Sequence, residues 1–226
     1  MVNLNSSSDY ILGDNNNEPA RKRVRLSVHT PDPYIEITFD IIRSFNYSGV
    51  IICQINNCTS RKLHANSFSS YLATGFKYAN PYQHRLTGPY PNLAAEICRA
   101  EPGTIEILHP PTGQGPSFAC LYSQYKMGRS DSKYYINLPK TDSRYNYMAI
   151  YKDTYPHRLQ YFQQCLNILL SCLLASPYYK TVVFPKYIGC GMAQGRWSDY
   201  EPIISKFCQK LKSHKPYMEI FLNKKL

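Results

Sequence analysis

An α/β fold, a three-layer α/β/α sandwich around a mixed and largely parallel sheet, is what this sequence predicts. Three observations predict it. Short β-branched and aromatic runs recur along the chain, among them "YIEITF", "SGVIICQI", "KTVVFP" and "YMEIFL". Segments with apolar residues at helical spacing stand between them, most clearly "YPHRLQYFQQCLNILLSCLLAS". Strands alternating with crossover helices require a largely parallel sheet covered on both faces. At 226 residues the chain suits one substantial domain plus a tail.

Residues 1–30 are polar, rich in Asn and Ser and without apolar periodicity, and read as a disordered tail; 31–226 read as a single domain. Strands are expected at 34–39 and 49–55. Phe68, Leu72 and Phe76 then fall on one face of a short helix that ends before Pro81. "GTIEIL" at 103–108 and "SFACLYSQY" at 117–125 are two more strands, the second with the unbroken apolar centre of a strand buried on both faces. A polar, tyrosine-rich loop runs from 126 to about 155. Leu159, Phe162, Leu166, Leu169, Leu170 and Leu173 form the broad stripe of the longest helix. A strand at "KTVVFP", a helix over about 198–212 with Ile203, Ile204, Phe207 and Leu211 inward, and a strand at "YMEIFL" complete the order β-β-α-β-β-α-β-α-β.

The formal charge of +11 suits a polyanionic partner or a phosphorylated ligand. It concentrates in "RKRVR" at 21–25 and in Lys206, Lys210, Lys212, Lys215, Lys224 and Lys225. Arg21, Lys22, Arg23 and Arg25 form a cluster of the kind read by nuclear import receptors or drawn weakly to nucleic acid. "MVNLNSSSDY" has neither the basic start nor the apolar run of a secretory signal, so the 8 cysteines are expected to be reduced and the protein intracellular. Apolar stretches fall well short of the roughly 18 residues that span a bilayer, so no membrane partner is expected. The Cys and His positions lack paired CxxC spacing, which leaves no zinc site, and no cofactor is implied.

"TVVFPKYIGCGMAQGRWSDY" at 181–200 carries the chemistry. In open α/β sheets, ligands bind beyond the carboxyl ends of strands, and this Gly-rich turn sits at one such end. A dinucleotide fingerprint fits poorly, because counting from Gly189 the sixth position is Gln194 and not glycine. Cys190 and Arg196 have the Cys-x5-Arg spacing of a cysteine phosphatase, but Gly189 and Ala193 stand where such enzymes carry His and Gly. A third reading takes the glycines as backbone that lets a diphosphate approach closely, its charge met by amides at the head of the following helix.

The blocks "ITFDII", "VIICQINNC", "LATGFKYANPYQHR", "NLAAEICRAEPGTIEI", "CLYSQYKMGR", "YPHRLQYFQQCL" and "VVFPKYIGCGMAQGRW" occur in this order over residues 34–222. Together the sequence resembles the ADP-ribose-binding macrodomains, in particular the divergent branch of ADP-ribose 1''-phosphate phosphatases and their viral and bacterial relatives. The resemblance implies a protein that takes ADP-ribose or ADP-ribosylated protein as ligand and possesses the same three-layer fold. It places Asp40, with Ile41 beside it, at the adenine amino group, and Asn56 or Asn57 at the distal ribose, where an amide can both donate and accept. It puts Gln124 and Tyr125 beside the pocket and makes Gly189, Cys190, Gly191, Met192 and Ala193 the loop around the diphosphate. Trp197 would anchor the helix beyond that loop. In hydrolytic use, Asn57 and His64 would attend a water molecule. The loop "HANSF" at 64–68 lacks the glycines expected there, and Ala193 stands where relatives that cleave glutamate esters carry an aspartate. Binding is thus implied more directly than de-ADP-ribosylation or phosphatase turnover.

Overall fold

The computed structural model describes residues 33–38, 40–88, 91–130 and 152–224. The chain divides after Pro31, and the account below concerns the second unit, Asp32–Leu226. The expected tail at 1–30 with its basic cluster, Lys225, and residues 131–151 of the tyrosine-rich loop lie outside the described residues.

Six strands form one sheet: β1 Ile35–Ile37, β2 Val50–Asn57, β3 Ile105–Leu108, β4 Ser117–Gln124, β5 Thr181–Pro185 and β6 Glu219–Asn223. Their order across the sheet is β1-β6-β5-β2-β4-β3. Each neighbouring pair is parallel except β3 with β4. The helices among the described residues are α1 Ile41–Ser44, α2 Phe68–Gly75, α3 Tyr155–Ala175 and α4 Trp197–His214, with short 3-10 turns at Lys77–Ala79 and Glu96–Cys98.

Strand alternation sorts the core into two layers. Ile51, Cys53, Ala119, Leu121, Val182 and Phe184 pack with Phe162, Leu166 and Leu169 of α3 and Ile204, Phe207 and Leu211 of α4. Their neighbours Val50, Ile52, Phe118 and Val183 turn the other way and join Ile41, Phe45, Leu72 and Phe76 around α1 and α2. Because β2, β4 and β5 are central and covered twice, their sequences are near-continuous apolar runs rather than alternating ones. All eight cysteines are free thiols. Burial raises the pKa of Cys53, Cys58, Cys120, Cys165 and Cys208, so these pack as small apolar groups. No helix among the described residues is long and apolar enough to cross a membrane.

Several boundaries differ from the sequence expectation, each for a local reason. The expected strand over 34–39 is shorter, because Asp40 caps α1: its Oδ1 accepts from the Ile42 and Arg43 amides at 3.0 and 3.3 Å. Four residues are too few to leave a periodic signal, so α1 was invisible to pattern. β2 continues to Asn57 instead of stopping at 55, which puts Asn56 and Asn57 on the strand itself. β3 starts only at Ile105 because Gly103, at φ +87°, belongs to the preceding turn. Phe76 is extended rather than helical, although it still packs inward. Lys215, counted by the sequence among surface charges, is buried, and its Nζ donates to the Leu173 and Ser176 carbonyls at 2.5 and 2.6 Å. It thereby closes the end of α3, where carbonyls have no helical partner.

Candidate functional site

The carboxyl ends of the parallel strands converge on a cavity of 520 Å³, and Asp40, Asn56, Gln124, Gly191 and Asn223 all line it. Sheet order arranges the polar groups in a row. Asp40 follows β1; the loop 186–193 follows β5; Asn56 and Asn57 end β2; Gln124 ends β4. From β1 to β2 is three inter-strand steps, about 14 Å at the usual strand spacing.

At the β1 end, Oδ1 of Asp40 takes, besides the two α1 amides, the Tyr71 hydroxyl at 2.9 Å. Among the described residues Oδ2 has only the Arg43 Nε, at 3.6 Å, from a side chain that is 88% exposed. The Tyr71 hydrogen bond, the α1 amides and Arg43 together hold the Asp40 carboxyl below its ordinary pKa. Asp40 is therefore an ionised acceptor with one oxygen fully used and the other open.

Above β5, the turn is shaped by Tyr200. Gly189 adopts φ +79°, and a Cβ there would meet the Tyr200 ring at 2.6 Å; a Cβ on Gly195 would meet the same ring at 2.5 Å. These two glycines thus serve packing. Gly191 is different, since a Cβ there would meet nothing within 4 Å. The turn is closed by amides of Ile188, Cys190, Gln194 and Gly195 that donate to carbonyls of Pro185, Tyr187, Gly191 and Gly189. The successive amides of Gly191, Met192 and Ala193 have no acceptor among the described residues, and all three residues line the cavity. Consecutive unpaired N–H groups make a concavity for an anion.

At the β2 end, Asn56 is 3% exposed and its Nδ2 donates to Ser69 Oγ at 3.1 Å, while its Oδ1 is buried without any partner. A buried acceptor without a donor is costly unless a ligand or water supplies one. On Asn57 both oxygens are engaged: Oδ1 accepts the Ser60 amide at 2.7 Å, and the carbonyl accepts the Tyr82 hydroxyl at 3.2 Å. Burial pushes Tyr82 up to about 12, which keeps it a protonated donor. His64 Nδ1 accepts the Asn66 amide at 3.3 Å on the exposed rim. The loop that lacks glycines turns by the Ser67 amide donating to the His64 carbonyl at 2.9 Å, and Ser67 then caps α2.

Of the sequence-derived site residues, Cys190 and Tyr125 do not line the cavity and the others do, Ile41, Met192 and Ala193 among them. Tyr125 is buried beside Cys58, Tyr82, Cys120 and Tyr122, as packing. The cysteine-phosphatase reading does not survive the geometry. Cys190 donates to the Ile188 carbonyl at 3.6 Å, and burial raises its thiol pKa, whereas a nucleophile needs it lowered. Arg196 is held by Asp199 at 2.8 Å and lies over the Tyr155 ring. The expectation that the head of the following helix meets the diphosphate also needs correction. Trp197 and Ser198 do not line the cavity, and the helix head carries the Asp199 carboxylate. Trp197 packs edge-on against Tyr187, which holds the loop to α4.

Pattern reading missed the strut behind the β4 wall. Arg158 and Asp153 form a fully buried bidentate pair, at 2.8 and 2.7 Å. Asp153 accepts the Tyr125 and Lys126 amides, and Arg158 donates to the Gly128 carbonyl and to Gln124 Oε1. The pair thus fixes the segment that brings Gln124, Met127 and Gly128 to the cavity. Lys62 and Lys186 add cationic charge to the lining, Lys186 being shared with Glu36 at 2.7 Å. Among the described residues no three His, Cys, Asp or Glu side chains are placed to hold a metal ion.

No family model matches the sequence, and no curated protein matches it. Among solved structures the chain is similar to the macrodomain of Mycobacterium tuberculosis DarG. That similarity covers 84% of this chain and 97% of the other, at 10% identity and a TM-score of 0.45.

Proposed function

We propose that this chain is a macrodomain-like module that binds ADP-ribose or an ADP-ribosyl group. The observation that carries the reading is the run of unpaired amides at Gly191, Met192 and Ala193 on the cavity wall. Three successive unpaired N–H groups suit a diphosphate, with Lys62 and Lys186 adding positive charge to the same lining. Position across the sheet supplies the rest. On one side of the amides stands an ionised acceptor, Asp40, fit for the amino group of adenine. On the other stands the open Asn56 acceptor, fit for a ribose hydroxyl; of the two asparagines left open by the sequence, Asn56 is the one whose side-chain oxygen is buried without a donor among the described residues. The cavity volume of 520 Å³ falls within the range of about 300–1,000 Å³ usual for ligands of this size.

Binding is the core of the proposal, and hydrolysis is secondary to it. Among the described lining residues Asp40 is the one carboxylate, at the adenine side of the row, and the loop position that could carry a second is Ala193. Turnover of ADP-ribose 1''-phosphate or of ADP-ribosyl esters would rest on water held near Asn56, Asn57 and His64, with the loop amides stabilising phosphate charge.

The reading is tested by thermal unfolding with and without ADP-ribose. Ligand at a hundred times its Kd should add about 2.7 kcal/mol of stability to the wild type, and Asp40→Ala should remove most of that gain. Cys190→Ser should behave as wild type in the same assay and in any phosphate-release assay, because the thiol lies outside the cavity lining. Loss of turnover in that variant, with binding intact, would return the thiolate mechanism to contention.

A further inference from the structure

Tyr71 has no place in the sequence pattern of the site, yet among the described residues it is the one side chain that hydrogen-bonds the carboxylate at its adenine end. It lies on α2, opposite α1, and its ring sits 6.1 Å from Phe68, which lines the same cavity. We propose that Tyr71 is a positioning residue: by fixing Oδ1 of Asp40 it presents Oδ2 as a pure acceptor, and so sets a preference for an amino-purine over a keto-purine. This rests on the reading of the cavity as an ADP-ribose site and adds to it which residue governs base choice.

The physical argument starts from the two oxygens. Oδ1 receives three donors, the Tyr71 hydroxyl at 2.9 Å and the Ile42 and Arg43 amides at 3.0 and 3.3 Å. The two amides come from one short helical turn and leave the carboxylate plane free to rotate; a third donor from a different helix removes that freedom. Oδ2 then keeps a fixed direction and a full negative charge share, with only the distant Arg43 Nε near it. A carboxylate so held accepts from an exocyclic amine and repels a carbonyl oxygen. The side chains facing Asp40 among the described residues are the neutral Tyr71 hydroxyl on α2 and the charged Arg43 on its own helix, and both favour the ionised form. Tyr71 is in turn kept protonated, since burial and the adjacent carboxylate raise its pKa. The donor and acceptor roles are therefore fixed over the physiological range.

Tyr71→Phe keeps the ring and deletes the hydroxyl that donates to Asp40. Two readouts separate positioning from a structural role. In ligand-free protein, the Asp40 carboxyl followed by carbon NMR should titrate at higher pH in the variant than in the wild type. In binding, ADP-ribose affinity at neutral pH should fall about tenfold, the loss expected for one hydrogen bond to a charged group. The counterpart with hypoxanthine in place of adenine should change far less, so discrimination between the two ligands narrows. The acid limb of ADP-ribose binding, lost as pH falls through the lowered Asp40 pKa, should move upward with the same substitution. An unchanged Asp40 titration, or an unchanged ratio of the two affinities in folded variant, overturns the role given to Tyr71. If wild type binds neither ligand, it is the ADP-ribose reading that fails, and the ligand-free titration still decides whether Tyr71 holds Asp40.

Discussion

Alanine in place of Asp153 is expected to cost the fold about 3–5 kcal/mol, because it leaves the Arg158 guanidinium buried and unpaired. Both side chains are only 1% exposed, so water does not replace the lost partner. The amides of Tyr125 and Lys126 lose their acceptor in the same step. For a domain of this size the melting point should drop on the order of 10 °C. Urea denaturation would show the loss as a lower midpoint at similar slope. Replacing both partners together, Asp153→Leu with Arg158→Met, should be much milder, since no charge is then stranded. A double variant as unstable as Asp153→Ala would mean that the strut matters for its hydrogen bonds to the 124–128 segment rather than for its charge balance.

The glycine loop offers the second large effect, and it separates stability from binding within one turn. Gly191→Val should leave unfolding close to wild type, because the protein has nothing within 4 Å of the new Cβ. Its branched side chain would occupy space beside the unpaired amides, and a clash worth about 1–3 kcal/mol corresponds to a roughly 10–100-fold loss of ADP-ribose affinity. Gly189→Ala should do the opposite. At φ +79° with the Tyr200 ring 2.6 Å from the added carbon, it should cost about 1–3 kcal/mol of stability before any ligand is added. Paired unfolding and titration of the two variants checks this. Equal destabilisation by both would remove the distinction between a packing glycine and a ligand-facing one.

How much of this was legible in the sequence depends on what each feature requires. The six strands and the two long helices were visible because buried strands need unbroken apolar runs and α3 and α4 need a stripe at helical spacing. The site loops were legible as places, since Asp40, Asn56, Gln124 and Gly191 fall just where strands run out. Their roles were not. Asn56 and Asn57 are indistinguishable by type, and only the Ser60 amide on one and the empty acceptor on the other tell them apart. Gly189 and Gly191 look alike until Tyr200, eleven residues beyond the first, is folded against one of them. Asp153 read as part of a long polar loop, and Arg158 lay in the longest helix outside its apolar stripe. Their pairing with each other and with the end of β4 is a product of the fold, about thirty residues away in sequence, that no local pattern announces. Tyr71 was hidden for a similar reason, sitting in a short helix read for its apolar face alone.

The central claim is that the cavity takes ADP-ribose through backbone amides and two oriented acceptors, and calorimetric titration of the folded wild type with ADP-ribose tests it most directly. A single site with micromolar or tighter Kd, retained at high salt, is the predicted result, because short-range hydrogen bonds to the loop amides and to Asn56 persist where long-range charge attraction is screened. No heat of binding, or an affinity that appears only at low salt and is matched by any polynucleotide, would contradict it and leave the +11 charge as the protein's means of recognition.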